Sequence, residues 1–118
     1  SYITDTVDAF ISSIKSKKTI GEIINIGTGS ETSIEKIIKL TNKITRNNKK
    51  VLIDKQRVRP KNSELLRLCA SNKKAKKLLN WKPKLTGIKG FEEGLKKTIE
   101  WYQNSENFQK FKANIYNR

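Results

Sequence analysis

The sequence predicts an α/β fold, rich in helix and poor in strand. Two observations carry this. Short apolar runs alternate with longer stretches whose apolar residues recur at helical spacing, and such alternation belongs to α/β architectures. The strands are also too few and too short to make a stable sheet alone, so they read as pieces that lie beside a larger sheet.

The first helical stretch runs from Asp5 to Ser16, with Val7, Phe10, Ile11 and Ile14 on one face and Thr4 or Asp5 as cap. Ser1-Tyr2-Ile3 ahead of it reads as the tail of a strand. Lys15 to Thr19 is a basic turn. Ile23-Ile24-Asn25-Ile26 follows as a near-continuous apolar strand, closed by Gly27-Thr28-Gly29, where glycine permits a positive φ. Thr32 and Glu35 form a capping box for a helix carrying Ile34, Ile37, Ile38, Thr41 and Ile44 inward, with a stop at Asn47-Asn48. Val51 to Asp54 is a second strand. Leu65 to Ala70 is strand or extended chain, and its Cys69 reads as a packed core thiol. Ser71 caps a helix through Leu79 with Ala75, Leu78 and Leu79 inward; Trp81 and Pro83 end it, Trp81 packing back on the core. Ile88 to Tyr102 is the last strong helix, striped by Ile88, Phe91, Leu95, Ile99 and Tyr102. Ser105 to Arg118 is a short terminal helix or a tail docked by its rings.

The 118 residues form at most one domain. Only 35% are hydrophobic, and mean hydropathy is −0.69. The formal charge is +15, from 26 basic and 11 acidic residues. Such an excess raises a small basic nucleic-acid-binding module as the alternative reading. Most of the basic residues are Lys, however, in a chain also rich in Ile and Asn, and Lys is the ordinary residue of a solvated helix face. Lys73, Lys74, Lys76 and Lys77 are read that way.

Histidine is absent, which excludes His-based acid/base pairs, His-activated nucleophiles and His metal ligands. A single cysteine forms no internal disulfide and no metal site. No apolar run approaches the ~18 residues of a membrane span, and no secretory signal is visible; the cytoplasm is the expected compartment. No dinucleotide or P-loop glycine pattern occurs, and none of Tyr2, Tyr102 and Tyr116 has a Lys four residues on. Methionine is absent even at position 1, which predicts a processed chain or a fragment.

The candidate binding stretch is Arg57-Val58-Arg59-Pro60-Lys61-Asn62-Ser63-Glu64. Two arginines at i, i+2 leaving a strand point the same way. Pro60 stiffens the turn and keeps Arg59 extended. Two guanidinium forks so placed suit a diphosphate. Taken alone, the stretch reads first as a solvated basic loop, and it is the flanking segments that favour the anion site.

A resemblance spans nearly the whole chain. Tyr2-Ile3-Thr4-Asp5 through Ala9 resembles a Tyr-Val-x-Asp-x-x-x-Ala segment. Gly21 to Gly27 resembles Gly-x-x-Tyr-Asn-Ile-Gly, with Ile24 where Tyr is usual. Ser33-Ile34 resembles a Ser-Ile/Val helix start, and Arg59-Pro60 an Arg-Pro turn. Ser71 to Pro83 resembles Asp-x-Ser-Lys-Ala-x-x-x-Leu-Gly-Trp-x-Pro, with Asn80 for Gly and Ser71 near the expected Asp. Gly94 to Tyr102 resembles Gly-Leu-x-x-Thr-x-x-Trp-Tyr. These segments, in this order, are similar to the C-terminal region of extended short-chain dehydrogenases/reductases, the NAD-dependent nucleotide-sugar epimerases and dehydratases, closest to the 4,6-dehydratases. The Arg-x-Arg-Pro-x-x-Ser-Glu stretch most resembles the dehydratase branch that makes amino-sugar or nonulosonate precursors.

The resemblance implies that residues 1–118 are the substrate-binding region, normally packed beside an N-terminal Rossmann domain absent from this chain. It implies that Arg59 contacts the diphosphate of a nucleotide sugar, assisted by Arg57 and Arg67, with Glu64 orienting an arginine. It places NAD or NADP and the catalytic residues in the other half, where hydride moves from the sugar C4 to the cofactor and back. By this reading the 118 residues alone neither bind the cofactor nor turn over substrate, the intact enzyme is a homodimer, and neither nucleic acid nor membrane is a partner. A third reading is a fragment that associates through exposed sheet edges.

Overall fold

The computed structural model describes residues 1–53 and 67–109. Its elements are helices: α1 (Ile3–Lys15), a 3₁₀ turn at Lys17–Thr19, α2 (Ile34–Ile44), α3 (Lys73–Leu79), α4 (Gly87–Gln103) and α5 (Ser105–Gln109). Among the described residues there is no strand, which corrects the strands expected at residues 1–3, 23–26 and 51–53. Ile3 is already helical. At 23–26 the period-2 pattern survives without a ladder: Ile24 and Ile26 turn toward the core, Ile23 and Asn25 toward solvent. A strand needs a neighbour to bond, and the described residues supply none.

The core is small and built where α1 meets α3. Ala9, Ala75, Leu79 and Trp81 are buried together, with Ile24 and Ile26 packed against them. Two alanines let the helices approach closely. The expected inward face of α1 is therefore reversed. Asp5 and Ala9 are buried, while Phe10 is 67% and Ile14 86% exposed, with Val7 and Ile11 also exposed. Helical spacing identified the stripe correctly but could not say what covers it.

The caps differ too. Tyr2, not Thr4 or Asp5, is the N-cap of α1, and it makes no capping bond with its side chain. The Asp5 carboxylate reaches across the chain instead, accepting from the Lys84 and Leu85 amides at 3.0 and 3.1 Å. The Trp81 indole donates to the Asp5 carbonyl at 3.0 Å, so Trp81 does pack back on the core. In α2 the cap is Ser33, whose Oγ accepts from the Lys36 amide; Glu35 pairs with Lys39 rather than closing a box. Ile37, Ile38, Thr41 and Ile44 are half-buried, whereas Ile34 is exposed. Asn72 rather than Ser71 begins α3, and its amide donates to the Gly27 carbonyl at 2.9 Å. Asn80 ends α3 with φ +52°, the left-handed position that Asn tolerates next best to Gly. Cys69 is exposed, contrary to the expected core thiol, and Leu68 and Ala70 on either side of it are exposed as well, so no core covers it there.

Two approaches fix α4. A Cβ on Gly90 would lie 2.4 Å from the Leu85 carbonyl carbon, and one on Gly94 would lie 3.3 Å from Tyr2 side-chain atoms. Spaced i, i+4, the two glycines make one bare face of α4. Through that face α4 joins the loop that Asp5 anchors and the start of α1. Its Phe91, Leu95 and Ile99 are half-buried as expected; Ile88 and Tyr102 are exposed. Residues 105–109 are helical, which selects the terminal helix over the docked tail for that stretch.

Candidate functional site

The bare face of α4 and the loop leading into α2 enclose a cavity of about 650 Å³. One wall is α4, contributing Gly90, Phe91, Gly94, Leu95 and Thr98. Tyr2 stands at the α1 end, with the Lys97 ammonium 5.7 Å from its ring centroid. The opposite wall is the loop Thr28–Ser33, followed by Ile37 of α2. Arg67 and Leu68 close the side. The walls thus combine ring and aliphatic surface with a rim of hydroxyls.

The loop owes its shape to packing. A Cβ on Gly27 would come 2.8 Å from the Ala70 Cβ. Gly29 takes φ +71°, as the glycine turn predicts, and sits against the Asn72 amide. Beyond it the Thr28 and Ser30 hydroxyls pair at 2.9 Å.

Among the described residues lining the cavity, Arg67 is the one cationic side chain and Glu31 the one carboxylate. They pair. Glu31 Oε1 accepts from Arg67 Nε at 2.8 Å and also from Nη2. The hydrogen bond from Arg67 holds the Glu31 carboxyl below the usual carboxylate range, and the same bond raises the guanidinium further. The sign follows: with its folded-state value depressed, the Glu31 pairing is present at neutral pH and is lost as pH falls through that lowered value. The pair is exposed, so its weight is in geometry more than in stability.

Of the residues expected at the site, Arg67 lies in the cavity wall. Arg57, Arg59 and Glu64 lie outside the described residues. The sequence reading missed Glu31 and Tyr2. Glu31 stands 36 positions from its partner, and no local motif ties them. Tyr2 lies in a segment that reads locally as a strand tail, so its spacing carries no sign of a site. Among the described residues no cluster of three His, Cys, Asp or Glu could hold a metal, and no helix is long and apolar enough to cross a membrane. The glycine turn does not fit a dinucleotide phosphate. Its bare faces are filled by Ala70 and Asn72 rather than left open to a ligand.

A concave site of this size, apolar with a few convergent polar groups, has the dimensions of a small-molecule pocket. Residues 1–98 match the family model described as GDP-mannose 4,6 dehydratase. The chain belongs to this family of extended short-chain dehydrogenases/reductases, the nucleotide-sugar dehydratases and epimerases. It is 38% identical to human dTDP-D-glucose 4,6-dehydratase over 94% of this chain and 30% of that protein. The UDP-N-acetyl-alpha-D-glucosaminuronate decarboxylase of Bacillus cytotoxicus is 30% identical over 90% of this chain and 32% of its own length. The UDP-glucuronate 4-epimerase of Thermodesulfobacterium geofontis is 33% identical over 95% and 31%. The chain thus spans about a third of the curated relatives it matches. No solved structure matches it significantly.

Proposed function

We propose that this chain is the substrate-side part of an NAD(P)-dependent nucleotide-sugar 4,6-dehydratase or 4-epimerase, and that its cavity receives the nucleotide sugar. The observation that carries this is the cavity itself, with the Arg67 guanidinium in its wall and Ser and Thr hydroxyls around its rim. An arginine fork matches a phosphate in geometry and charge. In this reading Arg67 grips the diphosphate and Arg59 with Arg57 reach the same group from the preceding turn. Glu64 orients one of them. The hydroxyls of Thr28, Ser30 and Thr32 take the remaining polar groups of the ligand. Phe91 and Leu95 give the apolar backing.

NAD or NADP and the reacting groups belong, in this reading, to an N-terminal Rossmann part that the chain does not include. When bound there, the cofactor supplies hydride acceptance and return; this chain's residues bind and orient the sugar nucleotide. The outward apolar face of α1 supports such a neighbour, since a contiguous apolar stripe of this kind marks an interaction surface. The complete enzyme is a homodimer in the same proposal, working in the cytoplasm.

The test is steady-state kinetics of the complete enzyme with Arg67→Ala and Arg59→Ala. A charge-assisted contact is worth about 1.5–3 kcal/mol, so each change should raise KM by roughly tenfold or more, with kcat much less affected. Unchanged KM in both variants would remove the diphosphate grip from this region. A nucleic-acid module predicts instead a steep fall of DNA affinity with salt, and neither KM would move.

A further inference from the structure

Among the described residues the cavity places its one carboxylate directly against its one cationic side chain, which is an odd arrangement for a pocket that takes an anion. The geometry of the pair resolves it. A guanidinium has two edges that can grip bidentately: the side edge of Nε and Nη2, and the end edge of Nη1 and Nη2. Glu31 Oε1 takes Nε at 2.8 Å together with Nη2, which is the side edge. Nη1 makes no hydrogen bond among the described residues, and Nη2 keeps a second N–H beyond the one it gives to Glu31, so the end edge still offers two donors. The Arg67 side chain is 81% exposed, so packing does not hold it in place. Without Glu31, a long and freely rotating side chain would have to be ordered by the ligand itself.

We infer that Glu31 is a positioning residue of the pocket, holding Arg67 by the side edge so that its end edge is presented to the diphosphate of the ligand. The inference rests on the diphosphate reading of the cavity and adds a residue to it. Two effects of Glu31 oppose each other. Its hydrogen-bond acceptance orients the fork, while its charge repels an arriving phosphate. Glutamine keeps the first and removes the second; alanine removes both. The inference therefore fixes an order that charge alone would not give.

The experiment is calorimetric titration of UDP and of dTDP into the complete protein, with Glu31→Gln, Glu31→Ala, Arg67→Ala and the Glu31→Ala/Arg67→Ala pair. Glu31→Gln should bind at least as tightly as the unaltered protein. Glu31→Ala should bind about fivefold or more weaker than Glu31→Gln, and should add nothing in the Arg67→Ala background, because its effect runs through that guanidinium. Alanine binding as tightly as glutamine would overturn the positioning role while leaving the diphosphate reading intact, provided Arg67→Ala still weakens both nucleotides. Full nucleotide affinity in Arg67→Ala would overturn that reading, and the role of Glu31 with it.

Discussion

Asp5 shows how much one side chain can hold. It is 1% exposed, and its two oxygens satisfy two backbone amides nearly 80 residues away. Its own carbonyl takes the Trp81 indole proton. One residue thereby ties α1 to the end of α3 and to the turn that precedes α4. Asp5→Ala would strand the Lys84 and Leu85 amides in a part-buried place. Each orphaned donor costs about 1–3 kcal/mol, so the variant should lose roughly 2–6 kcal/mol for the two, read as a lower urea midpoint at unchanged slope. A loss under half a kilocalorie would mean that water replaces the carboxylate without penalty. The sequence showed Asp5 only as a candidate cap, because a contact spanning 80 positions leaves no local spacing to read. Trp81 was legible for the opposite reason. A large ring at a helix stop has few places to go except back onto the core. Cys69 misled because its leucine-rich neighbours look like core, and whether a run is covered depends on what lies over it.

At the scale of elements, periodicity found the four longer helices and placed their ends within a few residues. It did not find which face of α1 turns inward. The stripe of Val7, Phe10, Ile11 and Ile14 is the stronger apolar signal, yet Asp5 and Ala9 face α3. Small residues win that contact because Ala9 and Ala75 allow a closer approach than Phe10 would. In the proposed reading the outer stripe is covered by the remainder of the enzyme, and Phe10 tests it. In the 118-residue chain alone, Phe10→Gln should change stability by no more than about 0.5 kcal/mol, as for other exposed positions. In the complete enzyme the same change should cost roughly 3–5 kcal/mol, the range for losing a buried aromatic. Equal small effects in both would leave the α1 face uncovered and remove it from any domain contact. The expected strand at 23–26 was half legible in the same way. Its alternation is real, but a ladder is a property of two strands, and the described residues hold no second one.

For the whole molecule the decisive contrast is between what is buried and what is not. Among the described residues four apolar side chains are buried in the core, whereas sixteen large ones stand exposed. Single exposed apolar residues are ordinary, but Val7, Phe10, Ile11 and Ile14 stand together on one face of α1. The high positive charge of +15 keeps such a surface dispersed by mutual repulsion at low salt. Salt screens that repulsion within roughly 8–10 Å at physiological strength, while the apolar attraction remains. The 118-residue chain alone should therefore associate with itself as salt rises from low to physiological concentration, and bind a dye that reports exposed apolar surface. Sedimentation at several salt concentrations checks the first, and dye fluorescence the second. The complete enzyme should show neither effect to the same degree, because its remaining two thirds would cover the α1 face. A binding module that works as a small basic unit makes the reverse prediction: it stays monomeric across the salt series, with its apolar residues scattered too thinly to stick. The charge was plain in the sequence and pointed toward nucleic acid. In the proposed reading the burial pattern redirects it: a lysine-rich exterior would keep the chain dispersed at low salt until a neighbouring domain covered its apolar face.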